Sequence, residues 1–254
     1  MYRLENLIAI ITGAAGGIGA ATARRFVAEG ASVVLADRDS GPLEELAASL
    51  GARALAVPTD VTDEAATKAL VARAVEAFGG VDIYYANAGI EGRVCPLVEV
   101  EVADLDRIFA VNVRSVVLGL KYAVPAMRAR GGGSFIATSS VAGLIGSPGI
   151  GPYVATKHAV LGLVKTAAIE LGPLGVRVNA ISPGPIENRM MRSIEEQAAP
   201  GHASDVKANF NNLIPLGRYG ANEEIAAAAA FLASHDAAYC NGTTIVCDGG
   251  FVAQ

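Results

Sequence analysis

Apolar residues in this chain follow two rhythms. Short, nearly unbroken apolar runs recur at 7–12, 32–36, 53–57, 81–85, 134–138, 177–181 and 243–247. They do not alternate with polar residues, which is the pattern of strands covered on both faces. Longer amphipathic segments between them predict helices over 17–29, 42–50, 63–78, 104–129, 153–171 and 223–234. In the last of these, Ala226 to Ala230 are five consecutive alanines, which favour helix and allow close packing. Strand–helix alternation of this kind predicts an α/β protein with a doubly wound parallel sheet of about seven strands and helices on both faces. No linker, repeat or low-complexity tract divides the chain, so residues 1–254 read as a single domain. One stretch breaks the rhythm. Residues 183–218 hold prolines, the pair Met190 and Met191, a Pro200-Gly201 turn and Asn211-Asn212. A segment this long between strand and helix predicts a substrate-binding lid, with a mobile surface insertion as the plainer alternative.

The composition narrows the field. A chain of 254 residues that is 52% hydrophobic can bury a large core. Its net charge of −5 offers no basic face for phosphates, which argues against nucleic acid as a partner. Cys95, Cys240 and Cys247 form no CxxC pair and leave one over, so a reducing cytoplasm is the expected home. The first apolar run leads straight into a glycine-rich turn without a signal-peptide pattern, and glycine or proline interrupts every apolar stretch of membrane-spanning length. His158, His202 and His235 are scattered and show no metal-ligand spacing.

The first chemistry lies at the end of the first run, in TGAAGGIG (12–19). Gly13 lets the chain turn out of the strand, Gly17 keeps a Cβ away from an approaching pyrophosphate, and Gly19 lets the helix pack close to the sheet. The N–H groups and dipole at the helix start then favour an anion. Asp37 ends the second run, 18 residues beyond Gly19. A carboxylate there accepts hydrogen bonds from the adenosine ribose and repels the extra phosphate of NADP, so NAD is the expected cofactor. Arg38 is the counter-argument, since a guanidinium can bind that phosphate or lie along the adenine.

With these motifs on the page, the chain resembles the short-chain dehydrogenase/reductase family, from about Leu4 to Phe251. The resemblance rests on an ordered set: TGAAGGIG, Asp60-Val61, ANAG (86–89), Asn112, Ser140, YVATK (153–157), SPG (182–184) and DGG (248–250). It implies a single-domain Rossmann fold and hydride exchange between a nicotinamide and a carbonyl or secondary alcohol. It also implies cofactor contacts at Ile18 in the turn, at Asp60 and Val61 beside the adenine, and at Asn87, Ala88 and Gly89 along the adenosine ribose. Pro183, Gly184 and Ile186 would pack beside the nicotinamide. Asn188 stands where the family commonly has a threonine that bonds the carboxamide, and Ala86 replaces the commoner asparagine.

The proton chemistry follows from residue types. A ketone that accepts hydride becomes an alkoxide, so a positioned acid lowers the barrier, and the reverse reaction needs the same group as base. Tyr153 and Lys157 stand four apart on a predicted helix and so share a face. An ammonium there favours phenolate and is expected to bring the phenol's pKa down. Lys157 also lies within reach of the nicotinamide ribose. Ser140, 13 residues before Tyr153 and just past a strand, can hydrogen-bond the substrate oxygen; Ser139 competes for that role. The resemblance favours Ser140, and gives Asn112 a water that links the lysine to solvent. A side chain bonding its own helix backbone is the simpler account of Asn112.

Three functions are then in play: an NAD-dependent alcohol dehydrogenase or ketoreductase, an NADPH-dependent reductase of 3-oxoacyl thioesters on a carrier protein, and a non-catalytic NAD-binding sensor or scaffold. Asp37 and the charge of −5 favour the first over the second, and the intact tyrosine–lysine pair favours it over the third. Met190, Met191, Ile194, Phe210 and Leu213, with the loop 145–152 opposite, predict a mainly apolar pocket for a cyclic or hydrophobic small molecule, unless they pack on their own protein. The resemblance adds a homo-oligomer, dimer or tetramer, built from the long helices.

Overall fold

In the computed structural model, which describes residues 3–253, seven parallel strands form one sheet in the order β3-β2-β1-β4-β5-β6-β7. They are β1 (Ile8–Thr12), β2 (Ser32–Asp37), β3 (Ala54–Pro58), β4 (Ile83–Ala86), β5 (Gly133–Thr138), β6 (Val176–Pro183) and β7 (Thr244–Cys247). Within each strand, neighbouring side chains go to opposite faces. Ile10 of β1 joins a core with Val34, Tyr84, Phe135 and Val178, whereas its neighbours Ala9 and Ile11 join a second core with Leu35, Tyr85 and Ile136. Both faces are therefore dry, which is why the strands read as continuous apolar runs.

The helices divide between these two cores. On one face lie α3 (Glu64–Phe78), α5 (Ser115–Ala129) and α6 (Gly151–Leu171), through Leu70, Val116, Ala123 and Val160. On the other lie α1 (Gly17–Ala28), α2 (Ser40–Leu50) and α9 (Asn222–Ala233), through Phe26, Leu43, Ile225 and Ala229. The alanine run of α9 turns Ala226, Ala229 and Ala230 inward, so its small side chains serve packing within the chain.

Two stretches hold detail that the apolar pattern did not show. The helix predicted over 104–129 is continuous over Val102–Ala129, and is made of α4 (Val102–Phe109), a π-helical turn at Ala110–Arg114 and α5. The apolar periodicity runs on without a break because the wider turn keeps the backbone helical. The span Val102–Ala129 is long and apolar enough to cross a membrane by length and composition; here Val116, Ala123, Val124 and Met127 of it are buried in the core on the sheet. The stretch 183–218 is largely helical. It contains α7 (Arg189–Ala198), with Asn188 as N-cap accepting from Met191 N at 3.2 Å, and α8 (Ala203–Leu213). Its prolines and glycines all fall outside these helices: before α7, at Pro200-Gly201 between the two, and after α8.

One glycine sets how closely α5 meets the sheet. A Cβ on Gly119 would lie 2.7 Å from the Tyr84 ring, which stacks on Phe135 at 5.1 Å. Gly119→Val is expected to cost about 1–3 kcal/mol of stability through overpacking, read as a lower urea midpoint at unchanged slope.

Candidate active site

A sheet in which all strands point one way brings every carboxyl end to one edge, and the order reverses there between β1 and β4. The turns after these two strands are bound to each other. Thr12 Oγ1 accepts from Asn87 N at 3.0 Å and Ala88 N at 3.1 Å, and Asn87 Nδ2 donates to Thr12 O at 3.1 Å. Thr138, at the end of β5, donates to Asn87 Oδ1 at 3.1 Å. The Asn87 side chain is thus spent on joining three strand ends. Gly13 has φ +65°, and a Cβ on it would meet Ala88 Cα at 2.9 Å. A Cβ on Gly19 would lie 2.1 Å from Gly13 O, and one on Gly17 would meet Asn222 Oδ1 at 2.6 Å.

This turn fits a dinucleotide. Helix α1 begins without a side-chain cap and without an acid in its first turn, so its leading N–H groups are open to an anion. Asp37 stands at the rim, where its Oδ2 accepts from Ala15 N at 3.1 Å and its Oδ1 from Arg38 N at 2.7 Å. Arg38 is exposed. Beyond β3, Val61 is buried and Asp60 exposed; Thr62 donates to Asp60 Oδ1 from both N and Oγ1, and this holds the Asp60 carboxyl below its usual range.

The tyrosine and its neighbours lie along the same edge. Tyr153 and Lys157 sit on the first turns of α6 and are 8% and 3% exposed. The Ser140 hydroxyl lies next to the Tyr153 phenol, while Ser139 points under α6 and donates to Lys157 O at 3.0 Å. The Ser140 hydroxyl also accepts from Ala142 N at 3.2 Å, and lies 3.5 Å from Pro183 O. Lys157 Nζ donates to Thr138 O at 2.8 Å and lies 5.4 Å from the centre of the Tyr153 ring. A Cβ on Gly89 would be 3.6 Å from that ammonium, so the turn after β4 closes over it.

Here the electrostatics depart from expectation. Burial pushes the Tyr153 phenol up to about 12; the Ser140 hydrogen bond pulls it down, and the charge of Glu91 adds to the rise. Burial also brings Lys157 down to about 8. The ammonium is held by a carbonyl over the ring face instead of at the hydroxyl, and desolvation governs both groups.

Asn112 lies in the π turn and is 1% exposed. Its side chain does not bond its own helix. Its Oδ1 accepts from Ile90 N at 2.9 Å, and its Nδ2 donates to Ile90 O at 3.0 Å and to Thr156 Oγ1 at 3.1 Å. Ile90 packs with Ile108, Phe109, Ile150, Tyr153 and Met190 in an apolar cluster. Of the residues expected to line a pocket, Met190 reaches this cluster. Phe210 packs on Tyr219 and Phe251 at 6.3 Å each, and Leu213 is more than half exposed. Gly184 abuts Asp248, where a Cβ would lie 2.8 Å from its Cα, and the Ile186 side chain packs into the core beside α9.

Sequence reasoning missed Thr12, Thr138 and Thr156, whose hydroxyls wire the site together, and Glu91. Glu91 is 8% exposed, and its Oε1 lies 3.4 Å from Arg189 Nη1, at the start of α7. The available signal was a charged residue directly after the turn that closes β4.

A glycine-lined helix start, set beside a buried tyrosine and lysine, defines a dinucleotide-dependent oxidoreductase of the Rossmann type. Comparison with known proteins agrees. A family model described as enoyl-(acyl carrier protein) reductase matches residues 13–252. Levodione reductase of Leifsonia aquatica is 39% identical over 253 residues, 98% of this chain and 95% of that protein. Its crystal structure matches with a TM-score of 0.96 over 99% of each chain. Cyclohexanol dehydrogenase of Acinetobacter sp. (strain SE19) is 36% identical, covering 99% and 97%, and meso-2,3-butanediol dehydrogenase of Serratia marcescens is 39% identical with the same coverage. The chain belongs to the short-chain dehydrogenase/reductase family. By class it is an alcohol dehydrogenase or ketone reductase that works with a nicotinamide cofactor.

The buried ammonium has a cost that can be measured. Below about pH 8 Lys157 is charged in both folded and unfolded chains, and its desolvation weighs fully against folding. Between about 8 and the ordinary lysine value the folded state sheds the proton first and the penalty fades. Lys157→Met is therefore expected to raise the melting temperature at pH 7, by about 1–3 kcal/mol of stability, with a smaller gain at pH 10.

Proposed function

We propose that this protein is an NAD(H)-dependent dehydrogenase/ketoreductase of secondary alcohols in which Tyr153 is the acid and base. The observation that carries the reading is the buried Tyr153 phenol with the Ser140 hydroxyl next to it and the Lys157 ammonium over its ring. Nicotinamide, when bound, supplies or accepts the hydride. In reduction Tyr153 gives its phenolic proton to the oxygen that becomes an alcohol, and Ser140 donates to the same oxygen as its charge builds. In oxidation Tyr153 takes the proton back. Lys157 keeps a positive charge beside the ring, which opposes the burial that holds the phenol protonated. Both donor hydrogens of the Asn112 amide are spent on protein, so a water that resupplies the lysine would be held by main-chain groups of the π turn.

The cofactor contacts fall to Gly13, Gly17, Ile18 and Gly19 at the pyrophosphate, Asp37 and Arg38 at the adenosine ribose, and Asp60 and Val61 at the adenine. Asn87, Ala88 and Gly89 follow, with Tyr153, Lys157, Pro183, Gly184, Ile186 and the Asn188 amide toward the nicotinamide. The position of Asp37 against the turn supports NAD over NADP. Residues 183–218 act as the substrate lid within one domain. Cyclohexanol and 2,3-butanediol, the substrates in two relatives' names, share a secondary carbinol but no ring, and the apolar cluster around Tyr153 suits such a carbon frame. Exposed Val117 on α5 and Ile169 on α6 support self-association through those helices, and the three free thiols support a cytoplasmic setting. The acyl-carrier description of the matching family model favours a second reading, a thioester reductase using NADPH. Asp37 and the net charge of −5 oppose it.

A panel of ketones and secondary alcohols with both cofactors tests this directly. NADH is expected to exceed NADPH in kcat/KM, and Asp37→Ala to narrow that gap by about tenfold or more. Tyr153→Phe should lower kcat by roughly 10²–10⁴-fold while NADH still quenches protein fluorescence; turnover at the wild-type rate would remove Tyr153 from the mechanism.

A further inference from the structure

Next to the apolar cluster around Tyr153 lies a carboxylate that the proton transfer does not require: Ile90, the residue before Glu91, packs in that cluster, and so does Met190, the residue after its partner Arg189. Glu91 follows the turn after β4 and is 8% exposed. Its charge works against the reaction, because a neighbouring anion makes a phenolate harder to form. It has lost most of its water, and among the described residues its polar partner is Arg189 Nη1 at 3.4 Å, on a side chain 72% exposed. One long hydrogen bond leaves this carboxylate with spare acceptor capacity.

It is also held in place. Asn112 grips the N–H and the carbonyl of Ile90, the residue just before it. On its other side Gln197 of α7 accepts from Val94 N at 3.1 Å and lies 3.5 Å from Gly92 O. The segment carrying Glu91 is therefore pinned to both the π turn and the lid helix, and its acceptor is presented at low entropic cost. The surroundings of Tyr153 are apolar: Ile90, Ile150 and Met190 pack in its cluster.

We propose that Glu91 is a specificity-determining residue that accepts a hydrogen bond from a second hydroxyl of the substrate, so that diols and hydroxyketones are preferred to simple alcohols and ketones. The inference rests on the reading of Tyr153 and Ser140 as the partners of the reacting oxygen. The ligand chemistry follows from the two charges together. Glu91 repels a substrate carboxylate, Arg189 repels a substrate ammonium, and a neutral hydroxyl satisfies the acceptor with neither penalty.

The test compares kcat/KM for cyclohexanol with those for 1,2-, 1,3- and 1,4-cyclohexanediol, in the wild type, Glu91→Gln and Glu91→Leu. NADH affinity by fluorescence serves as the check that each variant is folded. The wild type should favour at least one diol by about 10- to 100-fold, the range of a hydrogen bond to a charged acceptor. Glu91→Gln should reduce that ratio and Glu91→Leu bring it near one. A wild type that favours no diol, or a preference that survives in Glu91→Leu, overturns the proposal. Faster turnover of 4-hydroxycyclohexanecarboxylate than of any diol would hand recognition to Arg189 and overturn it as well. A wild type inactive on every alcohol with either cofactor would instead defeat the dehydrogenase reading underneath, an outcome visible before any variant is made.

Discussion

Because every strand of the sheet runs in the same direction, each connection must carry the chain back over one face, and every strand stops at the same edge. The site is a product of that constraint. Residues far apart in the chain, from Thr12 to Pro183, meet because their strands all stop there. At the reversal between β1 and β4 the chain departs in two directions and leaves a crevice. The Thr12 hydroxyl bridges it by accepting from two N–H groups of the opposite turn. Thr138 extends the same plate to β5 and offers its carbonyl to Lys157. The floor of the crevice is thus a hydrogen-bonded piece of backbone, stiff enough to hold a glycine turn in a left-handed conformation against Ala88.

Desolvation then sets the chemistry. It drives the pKa values of the two titrating groups of α6 apart, the phenol up and the ammonium down, and both stay protonated near neutrality. A phenol so placed is a reluctant base but a dependable acid, because the alkoxide it meets during reduction is a stronger base still. The Ser140 hydrogen bond works in the opposite sense, since it stabilises the phenolate. The phenol's hold on its proton therefore depends on how dry its surroundings are and on the charges near it, Glu91 among them.

Much of this was legible in the residues. The strands announced themselves because two apolar faces leave no polar alternation, and the helices because each has one face to bury. The glycine turn, Asp37, Tyr153 and Lys157 were readable since their spacing has few other uses when set in that order. What the chain hid was of another kind. The role of Asn112 depends on Ile90 and Thr156, which periodicity cannot bring to it. Ser139 and Ser140 differ only in the direction the backbone gives each hydroxyl. The phenol's shift depends on burial, a property of the assembled interior. The helices within 183–218 were hidden as well, because Asn188 supplies a cap and so starts a helix inside a segment that its prolines and glycines mark as irregular.

The π turn at Ala110–Arg114 lets one continuous helix answer to two masters. Upstream, Ile108 of α4 leans on the tyrosine's apolar cluster; downstream, Val116 and Ala123 of α5 lie on the sheet. In a regular helix each residue advances the face by roughly 100°, so the seam of α5 is phased by the one surplus residue in the wide turn. Loss of a single residue there would swing that seam away from the sheet while leaving composition and hydropathy almost untouched. Length, at this one place, is information that residue identity does not carry.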